Sequence, residues 1–386
     1  MSTVIAITGA RIFDGDLWHD DSILLIDGGK VAAIAARHEL PEGVRTVEMG
    51  GLAIVPGFVD LQVNGGGGVL LNERPDADGI RVICAAHARF GTTALLPTLI
   101  TDTPAVTEAA IAAGIEAKSS GVPGFLGLHL EGPHLSVARK GAHDAALIRP
   151  MERADLDRTI AARRQLDALM MTLAPENARN EQIAALAAAG VTVSLGHSDC
   201  RYAEAAAAIE AGAHMMTHLF NAMSPLGHRE PGMVGAALDV GHLNAGLIAD
   251  GFHVDPVSIR VALRAKRGPG RIFLVTDAMS TIGTDMTSFF LNGREIFRKD
   301  GRLTLADGTL AGADIDMASC VRFMHGTVGI DLDEALRMAS LYPADAIGMA
   351  GRKGRLTHGH DADFAVVDDT LSIVSTWIGG VPVFSA

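Results

Sequence analysis

The sequence predicts an α/β protein: a (β/α)8 TIM barrel carrying a small β-sandwich domain built from both chain termini. Three observations predict it. Eight apolar strand segments alternate with Ala-rich helical segments through the middle of the chain; such alternation implies right-handed crossovers, a parallel sheet and, at eight strands, closure. Polar residues recur where those strands end, which is where barrel enzymes keep their chemistry. Short strand patterns separated by tight turns occupy both ends of the chain.

The 386 residues exceed one average domain, and a barrel of roughly 250 residues with one companion unit is the natural partition. The expected division is 1–55 plus 357–386 for the small β domain and 56–356 for the barrel. At the N-terminus, strands are expected over 4–7, 11–13, 22–26 and 31–35, the last two joined by the turn Asp27-Gly28-Gly29-Lys30. A unit this short cannot bury two faces alone. It should recruit the apolar runs 363–368, 374–378 and 379–384 from the other end of the chain.

The barrel strands are expected over 54–62, 92–99, 125–130, 169–173, 191–195, 214–218, 243–248 and 272–275. Asn292-Gly293 and Asp300-Gly301 are hairpin signals, so 289–310 should be a β insertion after the eighth strand, with helices following near 317–324 and 332–340. An open doubly wound sheet is the alternative fold. Its phosphate-binding turn has only a weak echo in Gly65-Gly66-Gly67-Gly68, and no acidic residue follows in the right register.

Composition narrows the function. A formal charge of −13 without a Lys/Arg stripe argues against nucleic acid as a partner. Three scattered cysteines, Cys84, Cys200 and Cys320, support neither a disulfide framework nor a Cys-based metal site. The start lacks the pattern of a signal peptide, and no run approaches the ~18 apolar residues of a membrane span, so the expected location is the cytoplasm, with no membrane partner.

The chemistry concentrates at strand ends. Gly127-Leu128-His129-Leu130-Glu131-Gly132-Pro133-His134 is an apolar run that stops at a carboxylate between histidines. Leu195-Gly196-His197-Ser198 and Met216-Thr217-His218 end in the same manner. Any one of these histidines alone reads as a hydrogen-bonded core residue, whereas three such endings read as donors for a divalent transition metal such as zinc. Gln62, Asn64, His134, Glu176, Asp250, His253 and Asp277 are also placed at strand ends.

The order Glu131, His197, His218, Asp277 resembles the amidohydrolase superfamily. More specific words extend the likeness over nearly the whole chain: Pro56-Gly57-Phe58-Val59-Asp60-Leu61-Gln62-Val63-Asn64-Gly65, His129-Leu130-Glu131-Gly132-Pro133, Lys140-Gly141-Ala142-His143, Thr217-His218-Leu219-Phe220-Asn221-Ala222-Met223, Asp250-Gly251-Phe252-His253 and Val275-Thr276-Asp277-Ala278. These resemble the N-acetylglucosamine-6-phosphate deacetylase family. The resemblance implies hydrolysis of the acetamide of N-acetylglucosamine 6-phosphate to glucosamine 6-phosphate and acetate, in amino-sugar catabolism and cell-wall recycling.

It implies one divalent metal ion per chain, with zinc first and iron, cobalt or manganese as alternatives, held by Glu131, His197 and His218. Three protein ligands leave a fourth position open, as catalysis requires. Asp277 is then the general acid/base, taking a proton from water and delivering it to the leaving amine. His143 is expected to be catalytic as an oxyanion donor and also to bind substrate. Ala142, Asn221, Ala222, Arg229, His253, Leu310, Ala311 and Gly312 are the further substrate-binding residues implied, with Asn221-Ala222 at a helix start and Arg229 on the phosphate. Most amidohydrolases carry His-x-His after the first strand, where this chain has Gln62-Val63-Asn64. Amides are poor ligands beside imidazole, so these two are expected to bind substrate or support the ligands, and one metal should suffice.

The partner implied is a phosphorylated amino sugar, and the resemblance adds a homodimer in which Arg229 or His253 reaches the neighbouring subunit's substrate. Two competing readings remain: a cyclic-amide hydrolase or other N-acyl hydrolase on the same barrel, and an inactive barrel kept as a scaffold. The first lacks the expected fourth-strand lysine near 170–176, and the second predicts a broken ligand set, whereas this one is whole.

Overall fold

The computed structural model describes residues 4–386, so Met1-Ser2-Thr3, part of the start expected to lack a leader, lies outside the described residues. The barrel strands are β1 Phe58–Val63, β2 Thr92–Ile100, β3 Gly127–Glu131, β4 Ala168–Leu173, β5 Thr192–Leu195, β6 Met215–Met216, β7 Asn244–Ile248 and β8 Ile272–Val275. They form one sheet in sequence order, and every adjacent pair is parallel. Its two ends meet at an isolated bridge between Val63 and Ala278.

Burial on both faces explains why these strands read as continuous apolar runs rather than alternating ones. Leu128, Leu130, Leu169, Met171, Leu247 and Leu274 pack outward in one core with the helices. Val59, Leu61, Ala94, Leu96, Met170, Met215 and Phe273 form a second core inside the barrel. Two residues further along, the interior turns polar: Leu96 is followed by Thr98, Met170 by Thr172 and Met215 by Thr217. These hydroxyls form a floor. His129 Nε2 lies 2.7 Å from Thr172 Oγ1, Thr172 Oγ1 lies 2.6 Å from Thr217 Oγ1, and Thr217 Oγ1 lies 2.7 Å from Ser194 Oγ.

Both chain ends contribute to a separate pair of sheets, as expected. One has four strands, all from the first fifty residues, including Arg45–Glu48, which the sequence pattern did not reveal. The six-stranded sheet places Phe364–Val367, Ile373–Ile378 and Val381–Ser385 beside Ala53–Pro56 and Arg11–Phe13. Ile7, Ile12, Leu24, Ile54, Phe364 and Trp377 share the core of this unit.

Three expectations need correction. The single run 54–62 is two strands, Ala53–Pro56 in the terminal sheet and Phe58–Val63 in the barrel. The break falls at Gly57, where a Cβ would sit 2.1 Å from Thr93 Oγ1, so the chain crosses between sheets where only glycine fits. The run 214–218 keeps only Met215–Met216 as strand, because His218 turns away at φ 29°. The insertion has four antiparallel strands, Ser288–Leu291, Arg294–Lys299, Arg302–Thr304 and Leu310–Ala313, and thus runs past 310. No helix among the described residues is long and apolar enough to cross a membrane.

Candidate active site

The C-terminal ends of the strands surround a cavity of about 380 Å³ lined by Asn64, Glu131, Ala142, His143, His197, His218, Asn221, Ala222, His253, Asp277, Leu310 and Gly312, among others. Glu131 ends β3, His197 and His218 follow β5 and β6, and Asp277 follows β8. His197, His218 and Asp277 have φ of 49°, 29° and 52°. A non-glycine residue in that left-handed region costs about 1–3 kcal/mol and persists only where its surroundings over-determine it. The strands thus end by twisting three polar side chains inward, and tertiary contacts hold them there.

Glu131 Oε1 lies 3.2 Å from both His197 Nε2 and His218 Nε2, and the two imidazole nitrogens are 3.0 Å apart. Burial works against ionising Glu131, but the His197 and His218 imidazoles beside it outweigh that and hold its pKa well below the usual carboxylate value. His197 Nδ1 sits 2.9 Å from the Arg139 carbonyl, so it carries the proton and leaves a lone pair on Nε2. A lone pair, an adjacent imidazole nitrogen and a carboxylate oxygen converging in a buried site are satisfied by a cation. Their separations approach the roughly 3.3 Å edges of a tetrahedral zinc ligand set. The residues present therefore fit a divalent metal. Glu131, His143 and His197 also offer ligand atoms within 4.8 Å of one another. His143 Nε2 stands beside the other carboxylate oxygen, 3.8 Å from Oε2.

Thr101 is a residue that the motifs did not single out. Its hydroxyl donates to the Glu131 carbonyl at 3.1 Å and lies 2.8 Å from His143 Nδ1, so the His143 proton belongs on Nδ1. Burial, with His197 nearby, pushes the His143 pKa down to about 3 and keeps the ring neutral. Nε2 then presents a lone pair, so an oxyanion-donor role for His143 requires the other tautomer.

Asp277 is buried, and burial, followed by the charge of Glu131, raises its pKa to about 6. Asn64 Nδ2 donates to its Oδ1 at 2.7 Å. Gln62 does not line the cavity; its Nε2 donates to Glu131 Oε1 at 3.0 Å. The first-strand amides thus support the carboxylates.

The expected substrate residues divide. Ala142, His143, Asn221, Ala222, His253, Leu310 and Gly312 reach the cavity, whereas Ala311 points into the core of the insertion with Met279 and Leu291. His253 Nδ1 lies 2.6 Å from Asp250 Oδ2, which fixes its ring. Asn221-Ala222 is not a helix start: the next helix is Gly232–Asp239, and the Asn221 N–H returns to the His218 carbonyl at 2.9 Å. Left-handed residues at Phe220 and Ala222 break any helical run. Arg229 is exposed, outside the cavity, and no ion pair or side-chain hydrogen bond engages it among the described residues. His134 is buried, 3.1 Å from the Arg149 carbonyl through Nδ1, in the packing behind β3. The apolar side of the cavity, Ile100, Met279 and Leu291, carried no sequence signal, since nothing polar marks it.

The chain resembles proteins of known activity along most of its length. It is 44% identical over 336 residues to an N-acetylgalactosamine-6-phosphate deacetylase of Shewanella sp. (strain ANA-3), covering 86% of this chain and 84% of that protein. It is 40% identical to the N-acetylglucosamine-6-phosphate deacetylase of Mus musculus, over 88% and 85% of the two chains. The crystal structure of N-acetylglucosamine-6-phosphate deacetylase from Pasteurella multocida superposes with a TM-score of 0.94 at 34% identity, covering 99% of this chain and 100% of that one. The Mycobacterium smegmatis enzyme, solved as an aspartate-to-alanine mutant in complex with N-acetyl-D-glucosamine-6-phosphate, superposes at 0.89 with 31% identity over the full length of both chains. A NagA composite domain matches residues 5–54 and the amidohydrolase family matches residues 53–383. With its ligand cluster, its barrel and that match together, the chain belongs to the amidohydrolase family.

Proposed function

We propose that the protein hydrolyses the acetamide of N-acetylglucosamine 6-phosphate to glucosamine 6-phosphate and acetate. The carrying observation is that the Asp277 carboxylate lines the same cavity as the Glu131, His197 and His218 donors. One divalent ion, zinc first, would be held by Glu131, His197 and His218, whose donor atoms are mutually 3.0–3.2 Å apart. Such an ion supplies Lewis-acid chemistry and makes a water molecule acidic enough to attack an amide near neutral pH.

The chain's own groups do the rest. Asp277 takes the proton from the attacking water and returns it to the amine nitrogen, acting as base and then as acid. Asn64 keeps that carboxylate oriented, and Gln62 does the same for Glu131. Leu291 and Leu310 of the insertion bound the cavity, so sugar bound there would be partly shielded from water. The Ala222 N–H has no acceptor among the described residues and is available to an anionic oxygen of the substrate. We place Arg229 in a homodimer, reaching the phosphate bound by the neighbouring subunit; its exposure and its lack of a side-chain partner among the described residues support this.

The galacto epimer is a second reading, favoured by the 44% identity to an N-acetylgalactosamine-6-phosphate deacetylase. Acetate release from the two phosphorylated epimers and from unphosphorylated N-acetylglucosamine, measured side by side, tests both readings. Turnover of the gluco phosphate well above the others supports the first, and preference for the galacto phosphate replaces it with the second. Equal rates with and without phosphate would remove the phosphosugar reading.

A further inference from the structure

Asp60, on β1, is wholly buried, and no lysine, arginine or histidine side chain forms an ion pair with it among the described residues. Burying a carboxylate without a countercharge is unfavourable, so an Asp at this position calls for an explanation. Its hydrogen bonds supply one. Oδ2 accepts from Thr276 Oγ1 at 2.5 Å, and Oδ1 accepts from the backbone N–H groups of Thr276 and Gln62, each at 3.2 Å.

These bonds lie on the seam of the barrel. β1 and β8 are the two ends of the eight-stranded sheet and share no regular ladder. Backbone bonds cross there from Asp277 N to Gln62 O (2.9 Å) and from Asn64 N and Gly65 N to Ala278 O (2.8 and 3.1 Å). Thr276 N–H, just below them, is taken by the Asp60 side chain instead of a backbone carbonyl. The Thr276 hydroxyl, with its proton on Asp60, accepts from Ala278 N–H at 3.3 Å and so spans Asp277. Asp277 is the residue at φ 52°.

We propose that Asp60 is a positioning residue for Asp277: its carboxylate orders Thr276, and Thr276 brackets the left-handed turn that aims the Asp277 carboxylate into the cavity. An amide at position 60 preserves size but not the pattern of protons. It cannot accept at both ends, so either the Thr276 hydroxyl reverses or the two N–H groups lose their acceptor. The inference rests on the general acid/base assignment of Asp277 made above.

The test uses the metal-loaded full-length protein and N-acetylglucosamine 6-phosphate. Asp60→Asn and Thr276→Val should each lower kcat by about 10- to 100-fold, the loss expected of a misplaced group, with KM and metal content little changed. Thr276→Ser, which keeps the hydroxyl, should restore most of the rate and carries the test if Asp60→Asn does not fold. In an Asp277→Asn background, Asp60→Asn should lower kcat no further, because the group it positions is gone. An equal further loss there, or a wild-type kcat in both Asp60→Asn and Thr276→Val, overturns the proposal. Crystal structures of Asp60→Asn and Thr276→Val read the same question without substrate. Residue 277 leaving its left-handed conformation supports the proposal, and unchanged Asp277 geometry in both overturns it. If the wild-type enzyme leaves the phosphosugar intact, the functional reading fails by itself, and the crystal structures still decide this one.

Discussion

Asn64 Nδ2 and Asp277 Oδ1 are 2.7 Å apart, a hydrogen bond that joins the end of the first barrel strand to the residue following the eighth. An amide from one edge of the sheet thereby holds the carboxylate beyond the other, in the place where most of the superfamily is expected to carry a histidine ligand. Asn in place of Asp277 can keep its oxygen toward Asn64, so Asp277→Asn should preserve fold and metal. Turnover should fall by roughly 10²- to 10⁴-fold, the usual contribution of a general acid/base. The loss should appear in kcat, and a near wild-type kcat would sink the assignment.

Arg229→Ala should weaken turnover of the phosphorylated sugar and leave the low activity on plain N-acetylglucosamine unchanged. Remote binding of this kind can raise kcat as well as lower KM, since it holds the acetamide in place. Comparing kcat/KM for the two sugars decides it, and parallel losses would make Arg229 structural. If Arg229 acts between subunits, mixing Arg229→Ala with Asp277→Asn protein should recover activity, because some sites then combine both wild-type residues.

Chelator-stripped protein titrated with zinc should bind one tight equivalent by calorimetry, with activity saturating at the same point. Gln62 and Asn64 donate their amide N–H groups to Glu131 and Asp277, and a neutral amide oxygen is a weak ligand for a borderline-soft cation beside imidazole, so neither should hold a second ion tightly. His143 Nε2 is the remaining donor. Saturation only at two equivalents, abolished by His143→Ala, would show a binuclear centre built on it.

Gly312 has φ 66°, and a Cβ there would meet Met279 Cγ at 2.5 Å and the Asp277 carbonyl at 3.0 Å. Gly312→Ala should therefore move the cavity wall and Asp277 together, lowering kcat/KM by an order of magnitude or more with a modest fall in Tm. Unchanged kinetics would show that the insertion yields without disturbing the site.

Burial opposes ionisation of Asp361, but Lys30, Lys353 and Arg352 outweigh it and lower its pKa to about 2. Lys30 belongs to the N-terminal sheet, so this cluster ties the two ends of the chain together. The folded pKa lies below the unfolded one, so this stability is fully present above pH ~4 and is lost as pH falls through about 2. Asp361→Asn should lower Tm near pH 7 and flatten the dependence of Tm on pH between 4 and 2. An unchanged slope would mean that other carboxylates govern acid unfolding.

Much of this protein was legible in its sequence because the signals are periodic or compositional. Eight apolar runs separated by Ala-rich segments specify a parallel barrel, and Glu131, His197 and His218 are legible because a carboxylate or imidazole ending three apolar strands is unusual; Asp277, which alone reads as a helix N-cap, stands out only through the family resemblance. Tertiary structure decided what depends on the meeting of distant chain segments. Gly57 looked like part of one strand until the approach of Thr93 showed that a side chain there has no room. Asn221-Ala222 had the look of a helix start, but left-handed turns at Phe220 and Ala222 bend the chain around the site instead. Asp60, Thr101 and Thr276 sit in ordinary apolar or hydroxyl-bearing stretches, and their partners are up to 216 positions away. Sequence determined which groups the site contains; closing the barrel decided their hydrogen-bond partners and proton positions, because those follow from distances that no local pattern encodes.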